Sequence, residues 1–203
     1  KGTDVGMSGM GGVFVTTTNP IITLIIMTAI NKKITPNHLI GIMLGFLGGL
    51  IILNVFNLGF SYLSNIKNIY FIFCSLIWGI MTVIMNYGQK QIDSLLYIMM
   101  CYFITSLISM FFVSPIELLS LNIFDVKFMI NFILVSIGAM SFGTSVYIYA
   151  TPRIGPIRSS AFIFSVPFIA LGTAYFVLGE TITSNVLIGG FISIIAIYIV
   201  NRK

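Results

Sequence analysis

Apolar runs dominate the chain, and polar residues interrupt them at intervals close to one membrane crossing. A transmembrane helix needs about 20 mostly apolar residues, within a range of roughly 17–25. Seven stretches come close to that requirement: residues 11–30, 38–54, 69–88, 94–113, 128–150, 159–179 and 185–201. The joints between them are polar or helix-breaking: Asn31-Lys32-Lys33 with Thr35-Pro36-Asn37, Gln89-Lys90-Gln91 with Asp93, Ser114-Pro115, Thr151-Pro152-Arg153 and Thr181-Ile182-Thr183-Ser184. Backbone groups cannot be left bare in hydrocarbon, so such joints lie where the chain leaves the lipid. The expected fold is all-α, an integral membrane bundle of several spans, and no segment reads as a soluble domain.

Composition agrees. Hydrophobic residues make up 58% of the 203 and charged residues only 7%, with a mean hydropathy of +1.08, whereas a soluble domain carries roughly 25% charged residues. The net charge of +5 does not indicate nucleic-acid binding, because the basic residues stand singly or in pairs between apolar runs and read as loop charges. Alternate joints place Lys32, Lys33, Lys90, Arg153, Arg158, Arg202 and Lys203 on one side and Lys1, Lys67 and Lys127 on the other. The richer side faces the cytoplasm by the positive-inside rule. The expectation is a multi-pass protein of the cell membrane, plasma or inner, beginning outside and ending with a cytoplasmic C-terminus. Cys74 and Cys101 both lie inside apolar runs, so neither a disulfide scaffold nor the common zinc patterns apply.

The chain also matches itself. Pro20 and Pro167 are 147 residues apart, and Ile34, Thr35, Asn37, Leu39, Ile40 and Gly41 are matched 148 residues further on by Ile182, Thr183, Asn185, Leu187, Ile188 and Gly189. The two copies run in opposite orientation, which is an inverted-topology repeat of the kind found in secondary transporters. The second copy starts near Asn68 and includes five spans, whereas the first shows two. The expected segmentation is therefore 1–54 as the end of a first repeat, 55–67 as an external linker and 68–203 as a complete second repeat. The same arithmetic expects three further spans ahead of residue 1, about 80 residues, giving seven of ten spans in this chain.

Three stretches resemble the drug/metabolite transporter superfamily, specifically its ten-span EamA-like branch. Ile154-Gly155-Pro156, Arg158-Ser159-Ser160-Ala161-Phe162, Val166-Pro167, Leu178-Gly179-Glu180, Ile182-Thr183 and Leu187-Ile188-Gly189-Gly190 are similar to that family's penultimate span, turn and last span. Trp78-Gly79 resembles a motif in the first span of each family half, and residues 11–53 resemble the fourth and fifth spans. One departure stands out, Asn31-Lys32-Lys33 where the second half has Leu178-Gly179-Glu180. The resemblance implies two inverted five-helix repeats around a central path. It also implies alternating-access transport of small metabolites, exported or imported, with no cofactor and with the cargo left open; export is the direction expected.

Polar side chains within a span face protein or a water-filled path rather than lipid, and several form stripes. Thr16, Asn19 and Thr23 lie on one helical face beside Pro20, which removes a backbone hydrogen bond. Carbonyls freed there are suited to a polar substrate; the alternative is that the threonines bond back to the preceding turn and accommodate a kink. Ser75, Trp78, Thr82 and Asn86 form a second stripe, and Trp78, the single tryptophan, lies mid-span where its indole either lines a cavity or packs on a neighbouring helix. Tyr97, Cys101, Thr105 and Ser109 form a weaker stripe. Ser141, Thr144 and Ser145, flanked by Gly138 and Gly143, fit either the path or a tight helix contact. The resemblance places Ser160, Phe164 and Pro167, with Ser159 and Ser165, in a cavity-lining span. Gly41, Gly45 and Gly49, echoed by Gly189 and Ser193, follow the small-xxx-small spacing of close helix packing or of a subunit interface.

The substrate-binding set is thus Thr16, Asn19, Pro20, Thr23, Ser75, Trp78, Thr82, Ser160, Phe164 and Pro167. No acidic, basic or histidine side chain falls mid-span; Glu180 stands at an outer end and His38 at an inner one. A membrane-embedded lipid-modifying enzyme is disfavoured, because it needs clustered carboxylates, a His with a positioned acid or an activated nucleophile. A seven-span receptor conflicts with the repeat. A flippase-type or accessory membrane subunit of the same fold stays open. The expected partners are a small metabolite and the lipid bilayer, with no nucleic acid, no metal and no catalytic residues, and the protein a monomer or homodimer.

Overall fold

The computed structural model describes residues 8–31, 34–58, 69–113, 125–179 and 181–202. Regular structure within them is helical throughout. In chain order come α1 (Ser8–Asn31), α2 (Pro36–Ile52), a short α3 (Val55–Leu58), α4 (Ile69–Gly88), α5 (Ser94–Met110) and α6 (Val126–Ile133). A π-helical segment (Leu134–Thr144) leads to α7 (Ser145–Ile154), then α8 (Pro156–Ala161), a 3-10 turn (Phe162–Phe164), α9 (Ser165–Leu178) and α10 (Ser184–Asn201). Five stretches are long and apolar enough to cross a membrane: Gly12–Ile30, Ile69–Gly88, Val126–Ile154, Pro156–Thr173 and Ser184–Asn201. The other two expected spans, α2 and α5, are 17 residues each, about 25 Å at 1.5 Å per residue.

The joints differ from expectation in one place. Thr151-Pro152-Arg153 does not end a helix: α7 continues through Pro152 to Ile154, and the chain turns at Gly155, whose φ of +91° favours glycine. Pro156 then opens α8 at a position where its missing N–H costs nothing. Lys32, Lys33, Ser114-Pro115, Glu180 and residues 59–67 of the expected linker lie outside the described residues. Residues 55–58 of that linker form α3, with Val55 fully buried.

The chain divides into two compact units, residues 1–84 with 154–203, and residues 85–153. The first is built on the antiparallel contact of α2 with α10. Between lipid-soluble helices no hydrophobic drive operates, so close packing must supply the attraction. Here glycines allow the backbones to touch. A Cβ at Gly48 would lie 2.6 Å from Ser193 Oγ and 2.8 Å from the Gly189 carbonyl oxygen, and one at Gly189 would lie 2.5 Å from the Gly48 carbonyl oxygen. Gly41 faces Val200 and the Ala196 carbonyl, while Gly189 faces Ile52 and the Gly48 carbonyl. Adding 148 to the first helix's numbers and subtracting it from the second's turns each of these contacts into the other. The contact therefore has a local two-fold. Thr35 and Thr183, also 148 apart, occupy the N-cap positions of the two helices.

Other elements join this pair. Gly45 receives the Phe164 ring, Gly49 receives Thr17 of α1, and Gly190 receives the ring of Phe168. Leu24, Met27, Ile42, Val83, Ile157, Ala161, Phe164 and Val200 form the main core cluster. At the far end of α2, Asn54 takes a φ of +54° and its Oδ1 accepts from Asn185 Nδ2 at 2.8 Å and from Asn57 Nδ2 at 2.7 Å, tying the end of α2 to the start of α10. His38 lies at the opposite end of α2, partly buried, with Nδ1 unpartnered among the described residues.

The second unit packs Met85, Ile98 and Ile148 with Tyr97, Tyr102 and Tyr147. Pro152 has no N–H to give to the Ile148 carbonyl one turn back. Gln89 takes that place, its Nε2 donating to Ile148 O at 2.9 Å and to Met85 O at 3.2 Å. Arg153 closes the same end of the unit, donating to Ser94 Oγ at 3.0 Å and to Tyr149 O at 2.6 Å while its guanidinium lies 3.4 Å over the Tyr149 ring. In the π-helical segment the Thr144 hydroxyl reaches back five residues to Ala139 O at 3.2 Å, and the Tyr102 hydroxyl donates to the Met140 carbonyl. Neither α6 nor the π-helical segment buries a residue, and a Cβ at Gly138 would meet nothing within 4 Å. Gly138 and Gly143 thus form no tight helix contact among the described residues, contrary to one of the two expectations for that stretch.

Two substitutions test these arrangements. Gly48→Leu forces α2 from α10 and is expected to lower stability by about 1–3 kcal/mol, whereas Gly172→Ala, with nothing within 4 Å of the added carbon, leaves the melting temperature in detergent unchanged or slightly raised. Gln89→Leu strips the Ile148 carbonyl of its donor and is expected to cost about 1–3 kcal/mol, read as a lower melting temperature of the purified protein.

Candidate functional site

The predicted substrate-binding residues fall within the first unit, and the structure brings two stripes together along the seam between α1 and α4. Thr18 donates to Ser75 Oγ at 2.7 Å. One turn further on, Gly79 lies against Ile22 and the Thr23 backbone, with a Cβ there 2.5 Å from Ile22 Cγ2. Both contacts advance together along the two sequences, so α1 and α4 run parallel. Asn19 and Thr23 on one helix and Ser75, Trp78 and Thr82 on the other flank this seam, whereas Thr16, about 200° around α1 from Thr18, faces away from α4. Thr16, Asn19, Pro20, Thr23, Ser75 and Thr82 are buried, Asn19, Thr23 and Thr82 completely, and Trp78 is partly buried.

Apart from Thr18, several hydroxyls of α1 and α4 turn back on their own helices. Thr16 donates to Gly12 O at 2.8 Å, Thr17 to Val13 O at 2.6 Å, Ser75 to Phe71 O at 2.8 Å and Thr82 to Trp78 O at 2.9 Å. The back-bonding alternative raised for the threonines thus describes Thr16. Such bonds satisfy a buried hydroxyl without spending a neighbour's donor. Asn19 and Trp78 are different. The Thr23 hydroxyl donates to Asn19 Oδ1 at 3.1 Å, while Asn19 Nδ2 is buried without a partner among the described residues; Trp78 Nε1 is likewise buried and unpartnered among them. Pro20 supplies no N–H to the Thr16 carbonyl. No acidic, basic or histidine side chain is carried by residues 8–31 or 69–84, so the seam is uncharged.

Ser160, Phe164 and Pro167 occupy α8, the 3-10 turn and α9, and all three are buried. Ser160 donates to Ile157 O at 3.0 Å, and its neighbour Ser159 to Pro156 O at 3.1 Å. Phe164 fills the space left by Gly45 and packs with Leu24 and Met27 of α1. Its position is that of a core residue linking three elements. Of the small-residue set, Gly41, Gly189 and Ser193 lie in the α2–α10 contact, Gly45 faces Phe164 and Gly49 faces α1. Sequence reasoning missed Gly48 and Thr18. Gly48 belongs to the central contact and is visible in sequence as one heptad from Gly41; Thr18 carries the bond to α4 and has no distinguishing mark in a run of three threonines.

An open groove of about 360 Å³ lies between α9 and α10, lined by Phe168, Ile169, Gly172, Phe176, Val186 and Leu187 among others. None of the predicted binding residues lines it. Among the described residues no cluster of His, Cys, Asp or Glu fit for a metal is present.

The EamA-like transporter family matches residues 65–202. The chain belongs to this family. No curated protein matches it. EamA-like proteins are transporters, which makes this chain a multi-pass membrane protein of transporter type, acting in a lipid bilayer on small molecules, in a family that is not one of enzymes. The matched residues include the whole of α4 to α10, so Trp78, Ser160, Phe164 and Pro167 fall within the EamA-like match and the α1 stripe precedes it.

Gly79→Leu is expected to separate α4 from α1, break the Thr18–Ser75 bond and cost about 1–3 kcal/mol through overpacking. Thermal unfolding in detergent measures the loss, and the emission of the single tryptophan next to the substitution, shifted to longer wavelength, locates it.

Proposed function

We propose that the protein is a secondary transporter that moves small polar metabolites across the cell membrane, outward, by alternating access. The observation that carries the reading is the α2–α10 contact, in which segments matched at a 148-residue offset pack antiparallel with interchangeable contacts. Two inverted elements meeting on a local two-fold have no built-in preference for either side of the membrane, and rocking about such a contact is the usual basis of alternating access. The largely buried polar residues beside it support substrate recognition by Thr16, Asn19, Thr23, Ser75, Trp78 and Thr82, with Pro20 interrupting the backbone ladder of α1 and Pro167 in the first turn of α9. Ser160 and Phe164 shape the wall from α8 and the turn. The positive-inside distribution supports a cytoplasmic C-terminus, and the uncharged seam supports facilitated or exchange-driven movement rather than coupling through a visible carboxylate.

The open apolar groove between α9 and α10 favours one second reading, a flippase-type role for lipid-linked cargo, since an acyl chain fits such a lateral opening. Both are tested with the full-length protein in vesicles. Saturable flux or counterflow of at least one labelled amino acid, sugar or amine is the expected result. Silence across the whole panel overturns the reading, and leaflet-to-leaflet movement of a labelled lipid in the same vesicles establishes the second one instead.

A further inference from the structure

Two buried N–H donors in the seam have no acceptor among the described residues, and an uncompensated donor is among the more costly features a buried region can hold. Asn19 is fully buried, the Thr23 hydroxyl donates to its Oδ1 at 3.1 Å, and Nδ2 has no partner among the described residues. Trp78 Nε1 can only donate, and it too is buried and unpartnered.

The packing of the two helices relates these donors. Thr18 and Ile22 of α1 face Ser75 and Gly79 of α4. With about 100° per residue on two parallel helices, Asn19 and Trp78 then project to the same side of the seam. The bonded pair Thr18–Ser75 sets an offset of 57 residues between the helices, which places Trp78 level with Ile21. Asn19 and Trp78 are thus about 3 Å apart along the helix axis. The hydroxyls of Thr16, Ser75 and Thr82 donate to their own backbones, and those of Thr18 and Thr23 to Ser75 Oγ and Asn19 Oδ1.

Resting on the transport reading above, we propose that Asn19 Nδ2 and Trp78 Nε1 together bind a carbonyl-type oxygen of the transported solute. A carbonyl or carboxylate oxygen accepts two hydrogen bonds, and two neutral donors recognise it without a counter-charge, in keeping with a seam free of acidic and basic side chains. The indole face at the same position gives an apolar part of the solute a surface to pack on. The shared chemistry is the oxygen acceptor, carried by a carboxylate or by an amide.

Trp78 is the single tryptophan, so its emission reports binding separately from flux. The full-length protein is titrated in detergent with leucine, leucinamide and isopentylamine, and with the matching acid, amide and amine of phenylalanine. The same solutes are offered to vesicles. An emission shift with the acid or the amide, and none with the amine at tenfold higher concentration, is the expected result; which of the two responds identifies carboxylate or amide. Asn19→Leu weakens the response about tenfold, and Trp78→Phe, which keeps the ring and loses the N–H, weakens binding of the labelled solute by a similar factor in equilibrium dialysis. Circular dichroism and melting temperature of both variants stay within the range of the parent. An equal response to the amine, no response to any of the six solutes, or undiminished binding in both variants overturns the proposal. Flux with undiminished binding in both variants leaves the transport reading standing and removes the donor pair, whereas an oxygen-dependent emission shift without flux removes the transport reading and keeps the pair.

Discussion

Close approach of the α2 and α10 backbones is the constraint on which the first unit depends. In lipid the flanks of a helix gain nothing by leaving hydrocarbon for another apolar surface, so helices stay together only where they fit closely or hydrogen-bond. Gly41, Gly48 and Gly189 remove the side chains that would hold the two axes apart, and Ser193, Val200 and Ile52 fill what remains. The Asn54–Asn185 bond closes one end of the pair. Because the contact has a local two-fold, the same residues that stabilise the packing also make it symmetrical, and a symmetrical contact between opposed elements is what a carrier needs in order to open on either side.

Polar groups in this protein follow one economy. Many serine and threonine hydroxyls in the helices, among them Thr16, Thr17, Ser75, Thr82, Ser159 and Ser160, bond to a backbone carbonyl three or four residues back, inside their own helix. Where proline removes an N–H, another group takes its place if one is near: Gln89 supplies the Ile148 carbonyl that Pro152 leaves bare. Against this background the unpartnered amide of Asn19 and indole of Trp78 stand out, since the rest of their seam shows how readily such groups are satisfied. Donors left bare where water is scarce are costly, and that cost is the ground for assigning them an acceptor on the solute.

The second unit presents a different surface. α6 and the π-helical segment bury none of their side chains, and large apolar residues such as Phe132, Ile137 and Phe142 are exposed. In a bilayer that surface meets acyl chains or further helices at no cost. The polar end of the unit, with Arg153 over Tyr149 and bonded to Ser94, suits the interface, where a guanidinium keeps water while its stem packs on protein.

Much of the architecture was legible in the sequence because the bilayer is a demanding solvent. It fixes span length, forbids unpaired backbone and sorts basic residues, so α4 at 69–88 and α10 at 184–201 emerge from apolar runs and polar joints alone. The 148-residue offset was legible as well, because a proline, a polar turn and a glycine kept register. The family match over residues 65–202 bears out the resemblance read from those motifs. What the sequence by itself did not determine was which faces meet. Gly41, Gly45 and Gly49 read as one stripe, yet steps of four residues turn about 40° each around a helix, and the three face α10, Phe164 and α1 in turn. Gly48, seven residues from Gly41, returns to the α10 face. Likewise Pro152 read as a break, but Gln89, just past the end of α4, supplies the bond it withholds from the Ile148 carbonyl, and only Gly155 takes the φ that turns the chain. Spacing along one helix is set by covalent geometry and can be counted. Which neighbour each face meets, and which buried donors are left without one, is decided only when the helices pack.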